Sequence, residues 1–102
     1  MTATTTAARS KAEIATEHAS RYLQQLCKHF AHKREVSFTP TEGKINFTAG
    51  DCLLAADDTT LTLTAVANSA AELPQLEDVV ARHLVRFAFR EELKIDWRPE
   101  AS

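Results

Sequence analysis

Between Val36 and Ala67, apolar and polar residues alternate in four short runs, with a turn signal after each of the first three. Successive side chains of a strand point to opposite faces, so a period of two specifies strands with one apolar face and one wet face. Val36 and Phe38 make the first run, and Pro40-Thr41-Glu42-Gly43 turns the chain. Lys44 to Thr48 follows, with Ile45 and Phe47 on one side, before a second turn at Ala49-Gly50-Asp51. Cys52 to Ala56 comes next; there Leu53-Leu54 breaks the alternation and leaves the facing open. Asp57-Asp58-Thr59 is a tight tip before Leu61 to Ala67, where Leu61, Leu63 and Ala65 share a face. Connections this short join antiparallel neighbours. The resulting sheet has one apolar face to hide.

Two amphipathic segments are suited to hide it. Thr16 to Lys33 carries Ala19, Tyr22, Leu23, Leu26, Cys27, Phe30 and Ala31 at helical spacing, with Thr16 as N-cap and Glu17 in the first turn. Ser69 to Leu93 repeats the spacing through Leu73, Leu76, Val80, His83, Leu84 and Phe87. Ser69-Ala70-Ala71-Glu72 fits a capping box, and Pro74 a first turn. Lys11 to Thr16 reads as an opening strand, and Ile95 with Trp97 as a closing one. The expected fold is α+β: a single domain over residues 11–98 in the order β-α-β-β-β-β-α-β, an antiparallel sheet with both helices packed on one face. Residues 1–10 and 99–102 read as tails, the first of them disordered. This order resembles the TATA-binding-protein-like and helix-grip folds.

At 102 residues, a folded chain buries about 65 % of its surface, enough for one core without staples. Lys and Arg total 12 against 14 Asp and Glu, a formal net charge of −2; that balance argues against a general nucleic-acid binder, which carries a basic excess. No apolar run approaches the roughly 18 residues of a membrane span, so no membrane partner is expected. Two cysteines are too few for a disulfide scaffold. Met1 to Ala8 lacks the basic and apolar regions of a signal peptide. The expectation is a cytoplasmic protein with reduced thiols.

Helix geometry sorts the residues that could carry chemistry. Cys27 and His29 stand about 160° apart on one helix, so the two cannot hold one ion. His29 and His32 lie three apart and face one way, a pair able to chelate Zn or Fe. Cys27 edges the apolar arc of the first helix and His83 lies in the stripe of the second; with Cys52, if that faces the same core, they would make a Cys₂His metal set where they met. Against these stand plain alternatives: surface histidines, cysteines packed as small hydrophobes, and a core histidine with its hydrogen bonds met. Arg82, Arg86 and Arg90 repeat every four residues as an anion or partner ridge, or as a solvated face paired with Asp78. Asp57 and Asp58 suit a cation or simply the hairpin tip. Phe89 and Trp97 are candidate interface residues. The nucleophile elbow, phosphate loop, dinucleotide loop and zincin motifs are all missing from the sequence.

The stretch His18-Ala19-Ser20-Arg21-Tyr22-Leu23-Gln24-Gln25-Leu26-Cys27-Lys28-His29-Phe30-Ala31-His32-Lys33 is long and specific. So is His83-Leu84-Val85-Arg86-Phe87-Ala88-Phe89-Arg90-Glu91-Glu92-Leu93, followed by Trp97. From Lys11 to Arg98 the chain resembles a bacterial domain family of unknown function, number 2218. Phe30 stands where many of its members have Trp. The resemblance implies no established activity. It does imply an iron-linked setting, because similar domains occur fused or adjacent to siderophore-interacting, flavin-dependent ferric reductases. The flavin-binding part is not in this chain, so reductase activity does not carry over. The expected function is a non-catalytic accessory domain that binds a metal ion or an iron- or siderophore-linked small molecule, with a siderophore-interacting or iron-transport protein as partner. The alternative is a homodimer or protein-interaction module with no ligand. An enzyme using Cys27 or His83 ranks behind both.

Overall fold

The computed structural model describes residues 8–100. Strand β1 spans Ala8–Ala15, helix α1 Ala19–Phe30, β2 Val36–Phe38, β3 Glu42–Phe47, β4 Gly50–Ala56 and β5 Thr60–Ala67. A 3-10 turn, Ala70–Glu72, leads into α2, Leu73–Phe87, and β6 spans Arg98–Glu100. The six strands form one sheet in the order β2-β3-β4-β5-β1-β6, and every neighbouring pair is antiparallel. The α+β class and the element order are as expected. Among the described residues no helix is long and apolar enough to cross a membrane.

Register decides the facing that alternation left open. Ile14, Leu61 and Ala56 stand in one row across β1, β5 and β4, and Ala12, Leu63 and Leu54 in the next. Ser10, Ala65, Cys52 and Ile45 make a third. All of them are buried, so Cys52, Leu54 and Ala56 face inward and Leu53 faces out. Both helices cover this face. Helix α1 buries Tyr22, Leu23, Leu26, Cys27 and Phe30, while α2 buries Leu76, Val80 and Leu84. Each fully buried Leu is worth about 1.5–3 kcal/mol relative to exposure. Gly43 lies on the same face, where a Cβ would stand 2.8 Å from Cys27 Sγ. Its lack of a side chain lets α1 settle onto β3.

Several boundaries differ from expectation. The tails assigned to residues 1–10 and 99–102 lie partly outside the described residues. Within them, Ala8 to Ser10 belong to β1, while Pro99 and Glu100 belong to β6, which pairs Arg9 with Glu100 and Lys11 with Arg98. The closing strand is thus Arg98–Glu100 rather than the Ile95–Trp97 segment, whose apolar side chains pack on the core from outside the sheet. Thr16 does not cap α1; its hydroxyl accepts from His18 N–H at 3.1 Å one turn early. The capping box does not form either, because Ser69 Oγ donates to the Glu72 carboxylate at 2.9 Å instead of both side chains binding backbone N–H groups. Helix α2 ends at Phe87 rather than Leu93. Beyond it the chain turns back, and Glu91 accepts hydroxyl hydrogen bonds from Tyr22 and Thr16 at the start of α1.

Candidate functional site

Where α1 meets α2, the rings of His29, Phe30, His83 and Phe87 gather, edge to face except for the tilted His29–His83 pair. His29 lies 5.0 Å from His83, 4.9 Å from Phe30 and 5.5 Å from Phe87, centre to centre. Phe30 in turn lies 4.8 Å from His83 and 4.9 Å from Phe47. His29, Phe30, Phe47 and His83 wall a cleft of about 340 Å³ whose rim carries His32, Lys33 and Arg34. A carbonyl can only accept, so His83 Nδ1 donates to the Val79 carbonyl at 2.7 Å, and Nε2 is the ring nitrogen left for another partner. Desolvation holds the His29 imidazole below its ordinary pKa, and His83, His32, Arg86 and Lys33 push the same way. A neutral ring with an available lone pair is the form a metal ion needs.

The expected partnerships are redistributed. Among the described residues no three His, Cys, Asp or Glu side chains gather into a metal-holding group. The Cys27, Cys52 and His83 set is therefore not assembled. Both cysteines are fully buried, with Cys27 over Gly43 and Cys52 in the row with Ile45 and Ala65, whereas His83 sits at the helix seam with His29. The physical reason is that His83 packs against His29 and Phe30 at the end of α1, and His29 stands about 160° from Cys27 around that helix. Burial pushes the Cys27 thiol up to about 11. Burial, then Cys27 and Asp51, push Cys52 higher still. Neither is a thiolate at neutral pH, so thiol nucleophile chemistry has no footing here.

Arg82, Arg86 and Arg90 do not form one ridge, because α2 stops before Arg90. Arg82 pairs with Asp78 at 3.7 Å on an exposed face, Arg86 stays on the helix near His29, and Arg90 lies over the Phe89 ring at 5.4 Å. Phe89 is 76 % exposed, but Trp97 packs against the core and offers less to a partner. Asp57 closes its hairpin by accepting from Thr59 and Thr60 N–H groups at 2.9 and 2.8 Å, which hold its carboxyl below the usual range.

A second polar cluster has no counterpart in the sequence reading. Tyr22, buried in the apolar arc of α1, directs its hydroxyl to Glu91. Thr16 Oγ1 reaches the same carboxylate at 3.1 and 3.2 Å. Burial, then the Glu91 hydrogen bond, raise the Tyr22 phenol to about 12, and the same bond lowers Glu91. The only sequence signal is that a phenol in a greasy stripe needs a partner for its O–H. Beside this cluster opens a cleft of about 380 Å³, lined by Arg21, Gln25, Phe89 and Arg90 among others. On the opposite flank of the fold, Ser10 on β1 donates to Glu77 on α2 at 2.5 Å, a polar tie between the layers.

No curated protein matches the chain. An NMR structure of PA4090 from Pseudomonas aeruginosa superposes with a TM-score of 0.77 at 39 % identity, covering 93 % of this chain and 99 % of that one. A family model spans residues 11–98, nearly the full domain. The chain belongs to DUF2218, a family of uncharacterized proteins conserved in bacteria.

Proposed function

We propose that this is a non-catalytic accessory domain that binds a divalent transition-metal ion, or a small molecule carrying one, with His29 and His83 as its two protein ligands. The approach of the two imidazoles, 5.0 Å between centres, carries the reading. A ring bound at about 2.0–2.1 Å has its centre roughly 3.2 Å from the metal, so two rings at a tetrahedral angle have centres about 5.2 Å apart. The Val79 carbonyl on His83 Nδ1 is the outer-shell partner that orients a ligating histidine. Imidazole suits both Zn and Fe, and the remaining positions would fall to water or to a chelating molecule in the cleft. Arg86 and Lys33 oppose a dication and keep the affinity modest. Metal-stripped protein is titrated with Zn²⁺ and with anaerobic Fe²⁺, reading Tm and the histidine ring NMR shifts. A saturable rise in Tm is expected, lost in His29→Phe and in His83→Phe, whose phenyl rings preserve the packing. A flat Tm in the unaltered protein defeats the reading.

One observation favours a homodimer or protein-interaction module instead: Val85 and Phe89 are 53 % and 76 % exposed. A monomer in sedimentation at working concentration defeats the homodimer form.

A further inference from the structure

We propose that the cleft between α1 and the segment after α2 binds a small aromatic carboxylate. The cleft, about 380 Å³, is formed where residues 88–91 fold back over α1. Two guanidinium groups from separate elements line it, Arg21 from α1 and Arg90 from the returning segment. Among the described residues, neither is in an ion pair: the paired cations are Arg9, Lys11, Lys44, Arg82 and Arg98. Glu91, the one carboxylate in the wall, is already engaged by the Tyr22 and Thr16 hydroxyls. The two guanidinium groups outnumber that single carboxylate. Guanidinium groups recognise a carboxylate through paired, charge-assisted hydrogen bonds.

The apolar half of the ligand is specified by Phe89. It is the most exposed large hydrophobic residue among those described, at 76 %, and it lines the same cleft as Arg90. A solvent-facing phenyl beside unpaired cations favours a flat ring bearing an anion, with the ring against Phe89 and the carboxylate between the arginines. Phe87 lines this cleft and touches His29 at 5.5 Å, so it stands between the two sites. The anion site therefore does not depend on the metal reading.

The test is an NMR titration of the full chain with benzoate at low salt, with benzamide and inorganic phosphate as comparison probes. Benzoate should give saturable shifts confined to residues around Arg21 and Phe89 to Glu91. Arg21→Gln and Arg90→Gln, both at exposed positions, should each weaken it about tenfold or more. Phe89→Ala should weaken benzoate while leaving any phosphate response unchanged, and His29→Phe should alter neither. The proposal is overturned by non-saturable benzoate shifts, by benzamide binding as well as benzoate, by phosphate producing the same shifts with the same affinity, or by arginine variants that bind like the parent.

Discussion

Gly43→Ala tests the helix-on-sheet seating directly. Gly43 carries no positive φ, so alanine fits its backbone and the effect is steric. The new methyl would stand 2.8 Å from Cys27 Sγ, 3.3 Å from Phe38 Cβ and 3.4 Å from Leu23 Cδ2. Carbon contacts settle at about 3.5–4.0 Å, so only the sulfur is overlapped badly, by about 1 Å. Cys27 is fully buried and has no solvent-side rotamer to escape into. Overpacking of this kind costs about 1–3 kcal/mol, offset by about 0.5–1 kcal/mol because alanine loses less chain entropy than glycine. A net loss of about 1–2 kcal/mol is expected. Cys27→Ala alone leaves a hole and also destabilises. In the double variant the added methyl occupies the space that sulfur vacates, so the two losses should not add. The coupling should exceed about 1 kcal/mol in the compensating direction, beyond the ~0.5 kcal/mol scatter of independent sites. Urea unfolding with an unchanged m-value gives each number. Additive losses, or a Gly43→Ala protein as stable as its parent, would refute the close seating of α1 and with it the reading of Cys27 as packing.

Three further outcomes follow from the titratable groups. Both cysteines should resist a disulfide reagent in native protein at neutral pH and react fully once it is unfolded, because burial raises Cys27 to about 11 and Cys52 further. The Tyr22 phenol, raised from 10.0 to about 12, stays protonated in the fold while the unfolded chain ionises. Stability should therefore fall as pH rises from 10 toward 12, and Tyr22→Phe should flatten that slope in alkaline thermal melts. His29 shows the opposite window. Its folded pKa lies below 6.5, so the unfolded state takes up the proton first, and stability that is complete above 6.5 is lost as pH falls. His29→Phe should remove that loss in melts at descending pH.

Much of the architecture is legible in local pattern. Alternation at Leu61 to Ala67 and Lys44 to Thr48 marks strands, helical spacing from Ala19 to Phe30 marks α1, and the turns between set antiparallel order. The separation of Cys27 from His29 also follows from helix geometry alone, and the structure keeps Cys27 buried and His29 at an open seam. Each of these depends on residues a few positions apart, whose relative directions the backbone period dictates.

Contacts across the chain are another matter. The inward facing of Cys52 comes from its pairing with Ile45 and Ala65, not from its neighbours in sequence. By its place in the apolar stripe His83 is a companion to the thiols, but the crossing of α2 over α1 puts it against His29. The early stop of α2 at Phe87 breaks the arginine series and turns the chain back toward α1. That return brings Glu91, 69 residues from Tyr22 in the chain, to its buried hydroxyl. Local periodicity states which side of an element is greasy, while the choice of partner across the core is a long-range minimum that no short window of residues contains.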